Sequence, residues 1–246
     1  MQKPYIEKID TRGDIDIWLI DGKYVRDNMD PEFTNFSHHY IFSFIPKNEF
    51  WIDKEHSEGE IKFFIDHMLI EHRLIAEGKS ESYAMEMGEK VERRERKNSQ
   101  LVKEIRNKDV DKNDLIKKIH KELLKEYSKN VNVWIVNGEL VRDFFYVDFT
   151  EGGHDRVYPF VPEKEVWLDD DLNPSERKFV LLHELHERNL MPDNQQVHIQ
   201  SGMVKEDKNY NKIYGSAHES ASRLEYLCRH HPEKLEEKLK EEINKA

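Results

Sequence analysis

The chain repeats itself, and the repeat limits the possible folds more than any other feature of the sequence. Residues 18–75 align with residues 134–191 at a constant offset of 116, without a gap, and 20 of the 58 pairs are identical. The matched positions include Trp18/Trp134, Gly22/Gly138, Arg26/Arg142, His38/His154, Trp51/Trp167, Asp53/Asp169, His67/His183 and Glu71/Glu187. A chain of 246 residues built this way is expected to fold as two related units. Each is near the size at which one core suffices without disulfide or metal staples. Residues common to both repeats are expected to serve the fold, and residues confined to one are better candidates for chemistry.

Each repeat opens with what reads as a hairpin. Ile15–Ile20, Asp21-Gly22 and Lys23–Arg26 have the pattern strand, tight turn, strand, as do Val131–Val136, Asn137-Gly138 and Glu139–Arg142, because Asp-Gly and Asn-Gly supply the positive φ of a two-residue turn. A second hairpin is expected over Tyr40–Ile45 and Glu49–Asp53, matched by Arg156–Val161 and Glu165–Asp169. The loop between the hairpins, 33–38 or 149–154, carries Gly152-Gly153 in the second repeat alone. Helices follow. Asn173-Pro174-Ser175-Glu176 suits a helix start, with the helix running to about Met191. Ser216-Ala-His-Glu219 fits a capping box opening another helix that ends near His231-Pro232, with a solvated helix over 233–246. In the first repeat the second helix starts near Ser82 and is expected to run on into the segment that follows. The expected architecture is α+β: a tandem duplication of a ββ-ββ-α-α unit, each an antiparallel sheet with helices packed on one face. The boundaries expected are 1–89 for a degenerate first unit, 90–129 for a basic helical connector and 130–246 for the second unit. The second unit holds about 14 more residues between its helices, a polar stretch over 192–213 that is expected to lie over a site.

A net charge of -11 argues against general nucleic-acid binding. The exception is the connector, where 14 Lys and Arg face 8 Asp and Glu. Cys228 is the sole cysteine, which removes a disulfide framework and a cysteine-based zinc site. Neither a signal core nor a long apolar run appears, so a cytoplasmic, non-membrane location is expected. There is no phosphate-binding glycine motif, nucleophile elbow or Rossmann fingerprint.

The segment from Phe179 to Met191 is the richest in the chain. At 100° per residue His183 and Glu187 share one stripe, one turn apart, flanked by Phe179, Val180 and Leu190, and His186 falls between Phe179 and Leu182. Imidazole and carboxylate on an apolar helix face need a partner. The later helix offers one: Ala217, Ala221, Leu224 and Cys228 form its packing stripe, with His218 and Glu225 beside it. If the two helices pack, His183, Glu187 and His218 converge as two imidazoles and a carboxylate, a set suited to Zn²⁺ or another divalent ion. Glu225 is then an outer carboxylate or a fourth ligand. His183-Glu184-Leu185-His186-Glu187 resembles the His-Glu-x-x-His helix of zincin-type metallohydrolases, with Glu187 where that family has its second histidine. The resemblance implies that His183 is a ligand, that Glu184 is the base that activates water, and that the substrate is peptide-like. The stretch from Tyr214 to Ala221 also resembles small phage and microbial proteins to which no activity attaches.

The first repeat keeps His67 and Glu71 but has Met68 in place of Glu184, Ile70 in place of His186, and Gly88 opposite His218. A His–Glu pair at i,i+4 serves as a plain fold-fastening contact in many helices. Two readings follow. In the first, the second repeat is a metal-dependent hydrolase site using His183, Glu187, His218 and Glu184, with His154, His186, Tyr214 and Glu225 around it. In the alternative, the protein is a non-enzymatic binding module whose His/Glu pairs are structural and whose connector meets another macromolecule. Glu184 also lies towards the polar side of its helix with Arg188, where an exposed or ion-paired role is open to it.

Overall fold

In the computed structural model, residues 3–57, 59–108, 110–192, 199–200, 203–204 and 208–246 are described. The chain forms two compact units, one of Met1–Asp111 with Arg142–Asp148, the other of Lys112–Val141 with Phe149–Ala246. Unit 1 contains β1 (Tyr5–Arg12), β2 (Ile15–Ile20), α1 (Gly22–Asn28), β3 (Phe36–His38), β4 (Glu49–Asp53), α2 (Ile61–Ala76), α3 (Glu81–Lys97) and α4 (Gln100–Arg106). The remaining elements are α5 (Lys112–Ile119), β5 (His120–Leu123), β6 (Asn132–Val136), α6 (Gly138–Phe144), β7 (Gly152–His154), β8 (Glu165–Asp169), α7 (Arg177–Leu190), the two-residue pair β9 (Ile199–Gln200) and β10 (Met203–Val204), α8 (Lys208–His230) and α9 (Leu235–Lys245). The fold is α+β. Residues 90–111 of the expected connector fold with unit 1, and 112–129 fold with unit 2, to which they supply α5 and β5.

Both four-stranded sheets are mixed rather than antiparallel, with orders β1-β2-β4-β3 and β5-β6-β8-β7. Their central pairs are parallel and share one register: Trp18 lies opposite Trp51, and Trp134 opposite Trp167. The reason lies at the two glycine turns. Asp21-Gly22 does not close a hairpin; the Asp21 side chain accepts from the Tyr24 N–H and caps α1. Asn137 does the same for Leu140. A Cβ on Gly22 would lie 1.8 Å from Asp53 Oδ2, and one on Gly138 2.0 Å from Asp169 Oδ2, so each glycine exists to let a strand-end carboxylate reach a helix start. The helix then carries the chain away, and the next long strand returns parallel to the first. The expected second hairpins are also displaced: β3 and β7 occupy the loops 33–38 and 149–154, whereas 40–45 and 156–161 are turns.

The sheet of unit 1 is covered on both faces, not one. Ile17, Phe50 and Ile52 meet Phe64, Ile65 and Met68 of α2, and Ile20 and Trp51 meet Val25, Phe33 and Ile45. In unit 2, Val133, Ile135, Val166 and Leu168 pack on Phe179, Val180, Leu182 and Leu185 of α7, joined by Cys228 of α8 and by Leu235 and Leu239 of α9. The terminal helix is therefore part of the core. α7 starts at Arg177, with Asn173 Oδ1 accepting from the Ser175 N–H and hydroxyl in the turn before it. Helix α3 ends at Lys97, and the Ser99 side chain accepts from Val102 N–H to open α4. α8 begins at Lys208, so Ser216 lies inside it and opens no capping box; the exposed Glu219 pairs with Arg223. Half of the polar stretch 192–213, expected to lie over a site, is outside the described residues.

Candidate metal centre

α7 and α8 pack side by side, and the alanines of the expected stripe are buried between them. Their contact brings His183, Glu187 and His218 together. His183 Nε2 lies 3.2 Å from His218 Nδ1 and 3.6 Å from Glu187 Oε2, and His218 Nδ1 lies 2.8 Å from the same oxygen. Ligands at zinc distances of about 2.0–2.1 Å in a tetrahedron are separated by about 3.3 Å, and the three observed spacings bracket that value. The side chain of His218 is 36% exposed, whereas Glu187 is buried. Tyr214, one turn earlier on α8, stacks on the His218 ring at 5.7 Å.

Two outer groups orient this cluster. Glu225 accepts from His183 Nδ1 through Oε2 at 2.9 Å and from Arg229 Nε through Oε1 at 2.8 Å, and Arg229 continues to Glu176 at 2.9 Å. Both oxygens of Glu225 are thus engaged behind the cluster, one by His183 Nδ1 and one by Arg229. On the other side, His154 Nε2 lies 3.0 Å from Glu187 Oε1. The electrostatics follow from these contacts. Burial alone would lower His183, but Glu187 and Glu225 hold it well above the ordinary histidine value. Burial opposes ionisation of Glu187 too, yet His154, His183 and His218 hold its carboxyl well below the usual range. His154 is lowered by complete burial, against the pull of Glu187.

Glu184 is half-buried and faces inward, not outward with Arg188. A Cβ on Gly152 would lie 3.1 Å from Glu184 Oε1, and donor atoms of Glu184, Glu187 and His154 lie within 4.8 Å of one another. Burial, then the Glu187 charge, push the Glu184 carboxyl up to about 8. Arg188 is buried and paired with both oxygens of Asp155. His186 does not join the centre: its Nε2 meets Ser220 Oγ at 2.9 Å, and its Nδ1 lies 3.0 Å from Glu242 Oε1 on α9.

Unit 1 holds the same relay. His67 Nδ1 meets Glu92 at 2.7 Å, Arg96 Nε donates to Glu92 at 2.9 Å, and Arg96 reaches Glu60 at 2.7 Å. Glu225 follows Glu92, and Arg229 follows Arg96, by 133 residues, 17 more than separate the strands. The insertion is therefore 17 residues rather than about 14, and the counterpart of His218 is Met85, not Gly88. Sequence reading missed the arginine end of the relay; the Glu-x-x-x-Arg spacing at 92–96 and 225–229 was the available signal. Comparison of the chain with protein-family models, curated proteins and solved structures finds no match.

Proposed function

We propose that unit 2 is a metal-dependent hydrolytic centre in which His183 Nε2, His218 Nδ1 and Glu187 Oε2 hold one divalent ion of the zinc class. The observation that carries this reading is the convergence of those three donors at ligand-like spacings. Further support comes from the outer shell, because Glu225 accepts from His183 Nδ1 and so leaves Nε2 to face the centre. An ion held there would polarise an oxygen of substrate or water. Glu184 stands on the Gly152 side of Glu187; the charge of a bound ion would lower its carboxyl from about 8, and the carboxylate would then take a proton from water and return it to a leaving group. Tyr214, stacked over His218, would border the substrate. A peptide-like substrate is the class favoured by the likeness of the helix to the zincin motif. In unit 1, where Met68 and Met85 replace Glu184 and His218, the fastening reading of the His–Glu pairs is the better one.

Elemental analysis of untagged protein should find one ion per chain. Added Zn²⁺ at a hundredfold over Kd should raise stability by about 2.7 kcal/mol. His183→Ala and His218→Ala should abolish both effects. Glu184→Gln should keep the ion while losing cleavage of a fluorogenic peptide pool. A wild-type chain without stoichiometric metal, whose melting ignores added Zn²⁺, sinks the proposal.

A further inference from the structure

Donor atoms around Glu187 fall into two overlapping sets, His183–Glu187–His218 and His154–Glu184–Glu187. Spacing alone would suit two ions bridged by one carboxylate. We infer that the centre takes a single ion and that His154 is a positioning residue, holding Glu187 so that only Oε2 faces it. This inference rests on the metal reading above.

The decision comes from the second nitrogen of His154. The backbone N–H of Arg156 donates to His154 Nδ1 at 3.2 Å, so the neutral ring carries its proton on Nε2. That Nε2–H donates to Glu187 Oε1 at 3.0 Å. A nitrogen that bears a proton has no lone pair for a metal, which removes His154 from any ligand set and leaves the second set one donor short. The ring is fully buried, so water cannot take the place of either partner. Glu187 is divided as a result: Oε1 is occupied by His154, and Oε2 is presented to His183 and His218.

Unit 1 shows that this lock does not depend on a metal. There the Tyr40 N–H donates to His38 Nδ1 at 3.3 Å, and His38 Nε2 meets Glu71 at 3.1 Å. The lock forms although the third donor and the inward carboxylate are replaced by Met85 and Met68. It belongs to the strand–helix contact of the fold, and unit 2 adds donors to a carboxylate already fixed in place. A carboxylate held before the ion arrives loses less freedom on binding, which is how outer-shell partners raise metal affinity.

The test uses the full chain, stripped with chelator and titrated with Co²⁺, reading stoichiometry, affinity and the visible ligand-field spectrum. Wild type should bind one Co²⁺. His154→Ala should still bind one, about 10–100-fold more weakly and with an altered spectrum, because Glu187 is released. His154→Gln, which restores an N–H donor towards Glu187, should recover wild-type affinity and spectrum. His38→Ala, the same loss in unit 1, should change neither, which separates positioning from general loosening. Two ions on wild type, falling to one in His154→Gln, would make His154 a ligand and overturn the inference. So would wild-type affinity and spectrum in His154→Ala. A wild-type chain that binds no Co²⁺ overturns the metal reading and this inference together, whereas a bound ion indifferent to His154 overturns this inference alone.

Discussion

In unit 1 a glutamate, Glu71, sits between two histidines, and its buried Oε1 has no hydrogen-bond partner among the described residues. In unit 2 the matching Glu187 uses both oxygens, one for His154 and one for His218. The two relays behind these carboxylates agree in order, partners and distances, from histidine through glutamate and arginine to a second glutamate. Apart from Arg142 on Glu60 and Asp143 on Arg96, the difference at this site lies in what surrounds the carboxylate. Unit 1 fills the space with Phe36, whose ring packs edge-on against His67 at 5.2 Å, and with the fully buried Met68. Unit 2 has Gly152 and Glu184 there, and His218 where unit 1 has Met85. The relay is thus a means of holding a His–Glu pair in place inside a core, and the proposed metal chemistry of unit 2 would rest on three substitutions around it.

The largest effects should come from the relay itself, and they should be unequal. Glu60 is buried between Arg142, at 2.6 and 2.8 Å, and Arg96. Burial would raise its pKa, yet the two guanidiniums keep it below the usual range. Removing one partner from a buried ion pair costs about 3–5 kcal/mol, and Glu60→Gln should fall in that range in denaturant unfolding. Glu176 meets Arg229, which keeps Glu225 as a second acid, so Glu176→Gln should cost less, about 1.5–3 kcal/mol. Equal losses would mean that the extra arginine in unit 1 adds nothing.

A second asymmetry concerns pH. Glu89 of unit 1 is buried; burial, then the charge of Asp148, push it up to about 7, with Arg93 and His67 opposing and Glu92 reinforcing the shift. Unit 2 has Ser222 at this position, donating to the His218 carbonyl. A folded-state pKa above the unfolded one near 4.5 gives stability that is complete below 4.5 and lost as pH rises through 7. The loss is up to about 3 kcal/mol for a shift of this size. Denaturation midpoints should therefore fall between pH 5 and pH 8, and Glu89→Gln should flatten that slope. A slope that survives the substitution assigns it to another group.

The repeat, the α+β class and the convergence of His183, Glu187 and His218 were legible in the sequence because helical periodicity fixes which residues share a face. Strand pairing was not legible. Asp-Gly and Asn-Gly fit a hairpin and a capped helix start equally well, and the carboxylates that select the helix, Asp53 in unit 1 and Asp169 with Asp170 in unit 2, lie 31 or 32 residues further on. The inward turn of Glu184 was hidden for a similar reason. On a helical wheel it lies beside Arg188, but Asp155 draws Arg188 into the core, and Gly152 leaves room for the Glu184 carboxyl. β1 and β5 were missed because both are edge strands whose residues are exposed or half-buried throughout, so neither sequence alternates between a buried and a wet face.

The smallest predicted effect separates the centre from its scaffold. His186 and Ser220 occupy positions where unit 1 has Ile70 and Met87, and with Glu242 they tie α9 to α7 and α8. Glu242 also accepts from Asn189 and Lys245, so it keeps two partners when His186 is removed. His186→Ile, which gives unit 2 the residue of unit 1, should cost about 1–2 kcal/mol of stability. It should leave Co²⁺ affinity and spectrum as they are in wild type, because the ring nitrogens of His186 are bonded to Ser220 and Glu242, which are neither donors nor outer groups of the centre. If affinity falls as far as in His154→Ala, the clamp on α9 and the metal centre form one system. The substitutions that distinguish the two units would then have to be counted as a single change rather than as a centre added to an existing fold.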